Sequence, residues 1–325
     1  MNTPPSVSVI IPAYNAAQTI RQCVQSVLTQ SFKNFEVVVV NDGSADETPN
    51  ICNSLAQEDE RVKVIHQTNK GRTAAREVGL ENASAQWVCF IDADDTIPQN
   101  SLSDLYSMAS AQTDVVFGNG YTLNNEHRKT IPLSDFRHLA VRGEGTIGLP
   151  WGSLYRKILL SHYMFDLPKD IYMGEDYIFW LRLIFTTTKP IHIVYNKVYT
   201  KGADTTSSSF VWTVDYAEKL HALRMQSIPQ NVQTQYLKDA LSDAIVNLMS
   251  VAIFQPKQIW QNSHFYRQLL VDMQKCGHSF TMKQKLFLSI PSLRLRQAYS
   301  WFYNRVHRGR VFKIHDFFRH DFVGF

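Results

Sequence analysis

The sequence predicts an α/β fold, in which a mainly parallel sheet is flanked by helices and followed by a helical C-terminal region. Strand-like runs rich in β-branched residues alternate with helical stretches of roughly ten to fifteen residues, a pattern typical of βαβ units. The runs are apolar almost throughout, as expected for strands covered on both faces. Beyond about residue 210 the pattern changes to helices without a clear strand.

The first hundred residues contain four predicted strands with three helices between them. The strands are expected at 7–11, 35–40, 61–65 and 87–91, and the helices at 17–29, 48–58 and 71–82. Further along we expect a strand at 114–117, an irregular stretch to about 148, helices at 154–162 and 177–186, and a strand pair within 191–199. A Ser/Thr-rich loop at 205–209 leads to a domain boundary near 210.

The composition indicates a globular protein, since 44% of the 325 residues are apolar and 19% are charged. The net charge of +4 is too small to indicate nucleic-acid binding by itself. No secretory-signal pattern begins the chain, and the longest apolar stretch, 244–254, is too short to span a bilayer. Four cysteines without metal-binding or C-x-x-C spacing predict reduced thiols in a cytoplasmic protein: Cys23, Cys52, Cys89 and Cys276.

Polar residues follow all four strands of the first hundred residues, at 12–15, 41–44, 66–69 and 92–95. The carboxyl ends of parallel strands meet at one edge of a sheet, where ligands of such folds bind. The turn-forming preferences of Asn, Asp, Gly and Ser would explain any single segment. Four such segments together, two of them with carboxylates, favour a shared ligand crevice.

The segment D-A-D-D at 92–95 directly follows an apolar strand. Asp92 and Asp94 are spaced to present oxygens to a hard divalent cation, Mn²⁺ or Mg²⁺, whose other ligands would be water and substrate phosphates. The alternative is a turn at Asp92 and a helix cap at Asp94 or Asp95. For Asp95, helix capping is the preferred interpretation.

Asp42 and Gly43 form a second candidate site. Asp42 could accept a hydrogen bond from the imide N–H of a base such as uracil, and Gly43 would let a ligand approach the backbone. The alternative is a turn before a helix that is capped by Ser44 or Asp46.

Arg76 lies on a predicted helix that begins at the crevice. Together with Lys70 and Arg72 it could contact a diphosphate, because a guanidinium group binds phosphate oxygens in pairs. The alternative is a solvated basic face of the helix.

A second acidic pair, Glu175 and Asp176, precedes an apolar helix. A carboxylate here could act as a general base for an acceptor hydroxyl. Acidic residues are also favoured at helix N-termini by the helix dipole, and the sequence leaves both interpretations open. The segment 143–148 matches the dinucleotide pattern G-x-G-x-x-G, but Pro150 follows where a helix should run and no strand obviously precedes it, so we reject an oxidoreductase.

From residue 283 the chain is basic and aromatic, with only Asp316 and Asp321 as acidic residues. Such a segment could dock on an anionic membrane, stack on single-stranded nucleic acid, or pack its aromatic residues against the body. We favour partial packing with a basic side that faces a membrane. The basic residues are Lys283, Lys285, Arg294, Arg296, Arg305, Arg308, Arg310, Lys313 and Arg319.

Taken together, these motifs resemble those of glycosyltransferase family 2, the inverting nucleotide-sugar-dependent transferases of GT-A fold. The matching segments occur in the family's order within residues 6–210: V-S-V-I-I-P-A-Y-N, V-V-V-V-N-D-G-S-A-D, N-K-G-R-T-A-A-R, F-I-D-A-D-D, W-G-S-L-Y-R-K and G-E-D-Y-I-F-W-L-R-L. The sequence departs from the family pattern at Glu77, Ala85 and Lys201, where the family often has Asn, Gly and Arg.

The resemblance implies a role for each matched residue. The metal would be held by Asp94 and Asp92, the catalytic residues would be Asp176 as base and Glu175 beside it, and Trp151 would line the acceptor side. The donor would be bound by Pro12, Tyr14, Asn15, Asp42, Gly43, Arg76 and Asp92.

The resemblance also implies a single displacement, in which Asp176 deprotonates the acceptor while the metal and Arg76 stabilise the leaving diphosphate. Residues 1–118 would bind the nucleotide sugar, a UDP-sugar, and residues 119–210 the acceptor, a glycan or lipid-linked glycan of a bacterial surface polymer such as lipopolysaccharide or capsule. Residues 211–325 would form the basic, aromatic helical region, in peripheral contact with the cytoplasmic face of the inner membrane. No nucleic-acid partner is expected.

Two other functions remain open. A nucleotide-sugar-binding scaffold would keep the fold without transfer activity, although the intact acidic set speaks against it. A sugar nucleotidyltransferase would need a glycine-rich, basic loop after the first strand, and residues 12–15 do not form one.

Overall fold

The structure is a computed structural model that describes residues 4–118, 130–143, 149–168, 170–171, 173–202 and 211–306, the last six as backbone only. The chain divides into two compact units, 1–205 and 206–325. The described part of the first unit contains an eight-stranded sheet with helices on both faces, and the described part of the second unit is helical. The assignment of residues 1–118 to the donor and 119–210 to the acceptor stays a prediction.

Four parallel strands form the first half of the sheet, in the order β3-β2-β1-β4. They lie within a few residues of the predicted positions, and three predicted helices connect them. The strands are β1 (Val7–Ala13), β2 (Phe35–Asp42), β3 (Val62–Gln67) and β4 (Trp87–Phe90). The helices are α1 (Ile20–Leu28), α2 (Thr48–Glu58) and α3 (Arg72–Asn82).

The second half of the sheet is mixed, and it continues from β4 in the order β7-β5-β8-β6. β7 runs antiparallel to both β4 and β5, whereas β5 and β8 are parallel and β6 is antiparallel to β8. The strands are β5 (Val115–Phe117), β6 (Thr130–Ile131), β7 (Leu154–Arg156) and β8 (Ile191–Ile193). The helices described in this half are α4 (Ser101–Ser107), α5 (Leu133–Arg142), α6 (His162–Phe165) and α7 (Glu175–Thr186).

Two of the elements predicted for this half do not form as expected. Residues 154–162 were expected to form a helix, but they form β7 and a 3₁₀ turn, because Leu154 and Tyr155 fill the gap between β4 and β5 in the sheet. Of the strand pair expected within 191–199, only β8 is a strand, although Thr200 pairs singly with Thr96.

Helix α5 lies in the stretch expected to be irregular. Its buried residues Phe136, Ala140 and Val141 recur at helical spacing, so the sequence did carry a signal for it. The loop at 205–209 and most of the 143–148 segment lie outside the described residues.

The sheet is covered on both faces, which explains why its central strands are apolar throughout. Val9 and Ile11 of β1 pack with α1 and α2 on one face, whereas Ile10 packs with α3 on the other. α3 approaches β1 so closely that a Cβ atom at Gly79 would lie 2.3 Å from Cγ2 of Ile10. α3 follows β3 in the chain, so it begins at the carboxyl edge of the parallel strands.

The second unit is built around α9 (Gln233–Phe254), which is buried almost continuously from its third turn onward. Among the residues that the structure describes, no helix is both long and apolar enough to cross a membrane. The other helices are α8 (Val214–Gln226), α10 (Lys257–Gln261), α11 (His264–Lys275), α12 (Met282–Ser289) and α13 (Leu293–Val306).

Candidate active site

The carboxyl ends of β1 and β2 are joined by hydrogen bonds between their loops. The backbone N–H of Asn15 donates to Oγ of Ser44 at 2.9 Å, and the backbone N–H of Ala45 donates to Oδ1 of Asn15 at 2.9 Å. Asn15 adopts φ of 49°, which a non-glycine residue rarely does. The predicted donor residue Asn15 therefore holds two strand ends together at the expected edge of the sheet.

Asp42 is buried at the end of β2, and its carboxylate closes the loop between β3 and α3. Oδ1 accepts hydrogen bonds from Nε2 of Gln67 at 2.7 Å and from the backbone N–H of Lys70 at 2.8 Å. Oδ2 accepts one from the backbone N–H of Gly71 at 2.8 Å. The side chain predicted to bind a base thus already organises the loop that leads into α3.

Gly43 lies beside this loop with φ of +69°, a left-handed conformation that favours glycine. A Cβ atom at this position would lie 2.6 Å from the backbone nitrogen of Asn69. The requirement for glycine is therefore explained by close approach of the protein's own backbone.

Arg76 is buried in α3, and its guanidinium group bridges two carboxylates from distant parts of the chain. Nη2 lies 2.9 Å from Oδ1 of Asp92, after β4, and Nη1 lies 2.6 Å from Oδ1 of Asp176, in the first turn of α7. Burial alone would lower the pKa of Arg76, but the carboxylates of Asp176 and Asp92 raise it above its usual value, so the group is charged. The structure thus brings the predicted base and a predicted donor residue together.

The cations that remain accessible on this segment are Lys70 and Arg72. Arg72 has 50% of its side chain exposed, compared with 4% for Arg76. Of the three basic residues predicted to contact a diphosphate, Lys70 and Arg72 are exposed, whereas Arg76 is buried between two carboxylates.

Glu175 forms a second ion pair next to the first, since its Oε1 lies 2.7 Å from Nη2 of Arg72. Burial raises the pKa of Glu175, the adjacent Asp176 carboxylate raises it further, and Arg72 opposes the shift. Arg72 and Arg76 are one helical turn apart on α3, so two consecutive acidic residues of α7 meet two arginines of α3.

Asp95 does not cap a helix, contrary to the preferred interpretation of the sequence. Its Oδ2 accepts a hydrogen bond from the hydroxyl of Tyr199 at 2.6 Å, and its Oδ1 accepts one from the backbone N–H of Gly202 at 2.6 Å. Burial raises the pKa of Asp95, while the hydrogen bonds from Tyr199 and Gly202 lower it and the neighbouring carboxylates raise it. α4 begins six residues later, at Ser101.

Tyr199 is the residue that sequence reasoning missed. Its hydroxyl also accepts a hydrogen bond from the backbone N–H of Asp92 at 3.1 Å, so one atom ties both ends of the D-A-D-D turn. Burial and the carboxylates of Asp92 and Asp95 raise the pKa of Tyr199, which keeps the hydroxyl protonated and able to donate. The preceding residues, N-K-V at 196–198, carry no signal for this role.

Trp151 stacks on the ring of Tyr199, with a centroid distance of 4.2 Å and an interplanar angle of 16°. Its backbone forms a single parallel bridge with Phe90, the last residue of β4. The predicted acceptor residue is mostly buried and lies beside the D-A-D-D turn.

Asp94 is exposed, and its carboxylate makes no hydrogen bond to the rest of the described chain. Asp92 uses Oδ1 for Arg76, which leaves Oδ2 available. Within the described ranges, no group of three or more His, Cys, Asp or Glu side chains is arranged to hold a metal ion. The pair Asp92 and Asp94 fits a cation that takes its other ligands from water and a diphosphate, as Mg²⁺ commonly does.

Pro12 and Tyr14 lie at the end of β1, where the resemblance places them. Pro12 is half-buried within the strand, and the side chain of Tyr14 is exposed. Tyr14 is therefore accessible to a ligand at the crevice edge.

Replacing Arg76 with methionine should destabilise the first unit strongly, because it leaves the Asp92 and Asp176 carboxylates without their buried partner. Loss of one member of a buried ion pair costs about 3–5 kcal/mol. The matched control is Arg21→Met, which breaks an ion pair with Glu58 that is exposed on both sides, and for which about 1 kcal/mol or less is expected. Denaturant unfolding of both variants tests this, and equal losses would contradict the structural role given to Arg76.

Replacing Tyr199 with phenylalanine should lower the free energy of unfolding by about 1–3 kcal/mol, because the N–H of Asp92 and the Asp95 carboxylate each lose a partner. The ring and its stacking on Trp151 are retained. Tyr163→Phe, which removes an exposed hydroxyl in the same unit, is the control and should be close to neutral. A Tyr199→Phe protein as stable as the control would contradict the assigned hydrogen bonds.

Known proteins that are similar to this chain include glycosyltransferases. The model of glycosyl transferase family 2 matches residues 8–168. The glycosyltransferase GlyA of Streptococcus pneumoniae is 31% identical over 306 residues, which cover 86% of this chain and 41% of that protein. The glycosyltransferase GlyG of the same organism is 37% identical over 117 residues, or 35% of this chain and 39% of that protein. The chain therefore spans less than half the length of either relative.

Solved structures share the fold. TarS 1–349 of S. aureus in complex with UDP-GlcNAc has a TM-score of 0.57 at 21% identity, covering 85% of this chain and 93% of that chain. The mannosyltransferase PcManGT from Pyrobaculum calidifontis, in complex with GDP-Man and Mn²⁺, has a TM-score of 0.53 at 16% identity, covering 93% and 88%. At these identities the likeness establishes the fold alone. With the family match and the ordered motifs of the crevice, it follows that this chain belongs to glycosyltransferase family 2 and has a GT-A-like fold.

Proposed function

We propose that the protein is a metal-dependent inverting glycosyltransferase that moves a sugar from a UDP-sugar to a hydroxyl group of a glycan acceptor. The observation that carries the proposal is the bridge from Asp92 through Arg76 to Asp176. The bridge holds Asp92, on the donor side, close to Asp176, which can take the proton from the acceptor hydroxyl. A binding scaffold would not need a base at this position.

In the proposed reaction, the acceptor oxygen forms a bond to the anomeric carbon while the bond from that carbon to the diphosphate breaks. The electron pair of the broken bond leaves with the diphosphate, and the acceptor proton passes to Asp176. Attack opposite the leaving group converts an α-linked donor into a β-linked product.

The protein's own groups are arranged for these tasks. Arg76 orients Asp176, and the exposed cations Lys70 and Arg72 are placed to attract the diphosphate. Asp92 and Asp94 would hold Mn²⁺ or Mg²⁺, which supplies positive charge to the departing diphosphate. Tyr199 and Asp95 fix the backbone of the turn that carries both carboxylates.

The choice of donor and acceptor has separate support. TarS binds UDP and UDP-GlcNAc, and PcManGT binds GDP-Man and Mn²⁺, so the shared fold accommodates a nucleotide sugar and a divalent cation. The relatives GlyA and GlyG are bacterial glycosyltransferases. We infer an acceptor among lipopolysaccharide, capsule or other surface glycans, used at the cytoplasmic face of the inner membrane.

The donor is tested by thermal unfolding with UDP-GlcNAc, UDP-glucose and GDP-mannose, each with Mn²⁺ or with a chelator. A UDP-sugar should raise the melting temperature by several degrees in Mn²⁺, because a ligand that binds only the folded state stabilises it, and the chelator should remove the effect. Asp94→Asn should reduce the shift, whereas Glu60→Gln, at an exposed position on the loop before β3, should preserve it. A larger response to GDP-mannose, or a metal-independent one, would contradict the proposed donor site.

The base is tested with Asp176→Asn, which keeps a hydrogen-bond acceptor for Arg76 but cannot take the proton. Transfer of radiolabelled sugar should fall by about a hundredfold or more, the usual range for loss of a general base. The thermal shift with UDP-sugar should remain, which separates catalysis from binding. Undiminished transfer by this variant would reject Asp176 as the base, and donor binding without transfer by the unaltered protein would favour a scaffold.

A further inference from the structure

We propose that α12 and α13 form a docking surface for an anionic lipid membrane. The surface consists of Met282, Lys285, Leu286, Arg294, Leu295 and Tyr299, and is called the α12–α13 surface below. The inference extends the proposed function and rests on it only for the biological setting. An enzyme whose acceptor is anchored in lipid has to reach that acceptor at the bilayer.

Large apolar side chains on these two helices are exposed to an unusual degree. Met282 is 72% exposed, Leu286 62% and Leu295 59%, and Tyr299 is 40% exposed. Met282 and Leu286 are one turn apart on α12, and Leu295 and Tyr299 are one turn apart on α13, so each helix presents its pair on one face. Helices that lie in a membrane interface present apolar side chains in this way.

The two faces belong to one surface because the helices are in contact. The rings of Phe287 on α12 and Tyr299 on α13 lie 5.7 Å apart between centroids. Beneath them, the buried guanidinium of Arg296 donates to the carbonyl of Ile290, just after α12, at 2.6 Å, and to that of Ala252 in α9 at 2.5 Å. Arg296 thus anchors the end of α12 and the start of α13 to the central helix of the unit.

Charge is segregated onto this part of the chain. Residues 273–315 contain nine lysine and arginine residues and no aspartate or glutamate. The chain as a whole has 33 basic and 29 acidic residues, so the remainder holds 24 basic and 29 acidic residues and is net negative. Lys285 and Arg294 are exposed next to the apolar pairs, which places positive charge where anionic headgroups would lie.

The chemistry of the surface favours a membrane over two other occupants. Three of its four apolar side chains, Met282, Leu286 and Leu295, are aliphatic and suit insertion among acyl chains, whereas binding of single-stranded nucleic acid depends on aromatic stacking. A symmetric contact with a second copy would place Lys285 and Arg294 against the same charges of that copy. An anionic bilayer offers negative headgroups to the basic side chains of the surface and an apolar interior to its apolar side chains.

The test is co-sedimentation of the full chain with vesicles of phosphatidylcholine alone and of phosphatidylcholine with an equal amount of phosphatidylglycerol. Binding should require the anionic lipid. Lys285→Gln with Arg294→Gln should weaken it about twenty-fivefold, since each basic residue near such a surface contributes about fivefold. Met282→Ser with Leu286→Ser and Leu295→Ser should weaken it by about tenfold or more.

The control is Leu270→Ser with Val271→Ser, which removes two apolar side chains of α11 that are 40% and 47% exposed. Vesicle binding by this control should equal that of the unaltered protein. All three variants change exposed residues, and their melting curves confirm folding. Should the apolar variant not fold, the charge variant decides alone.

Several outcomes would overturn the inference. These are equal binding to neutral and anionic vesicles, an equal loss in the control, and binding to oligonucleotides but not to vesicles. A fourth is self-association of the protein that the surface variants abolish without any vesicle binding. The thermal shift with UDP-sugar, measured on the same variants, separates the two proposals: vesicle binding without that shift would reject the donor site and keep the docking surface.

Discussion

The buried guanidinium of Arg76 is the interaction on which the candidate active site depends. Removing a charged group from water is costly, and the cost is offset only when the partners are close and well oriented. Asp92 and Asp176 meet that condition at 2.9 and 2.6 Å, although they lie 16 and 100 residues away along the chain. One side chain therefore fixes the positions of α3, the turn after β4 and the first turn of α7.

The same interaction gives Arg76 two carboxylate partners that the motif did not suggest. A guanidinium with both terminal nitrogens occupied by carboxylates serves the site by holding and orienting them. The exposed residues Lys70 and Arg72 then take the place of Arg76 as the groups nearest to solvent on this segment. Arg72 in turn pairs with Glu175, so two consecutive carboxylates of α7 each face an arginine of α3, which offsets part of their mutual repulsion.

A second network supports the D-A-D-D turn from the opposite side. Tyr199 joins the backbone of Asp92 to the side chain of Asp95, and Trp151 covers its ring. Three carboxylates in four positions can coexist because they have different surroundings. Asp92 pairs with Arg76, Asp95 is buried and accepts hydrogen bonds, and Asp94 is exposed to solvent. This division leaves Asp94 and Oδ2 of Asp92 accessible, as the proposed divalent cation requires.

The parallel half of the sheet and the convergence of its polar strand ends were determined by the sequence, because continuous apolar runs, turn residues and helical spacing are local properties. The motifs also predicted the family, and the first turn of α7 carries Glu175 and Asp176 as expected. The tertiary structure alone decided that residues 154–156 form a strand, since that segment gains its stability from pairing between β4 and β5. It also decided the partners of Arg76 and the task of Tyr199. Both depend on which residues, distant in the chain, lie together in the folded protein, and a local sequence pattern does not specify those contacts.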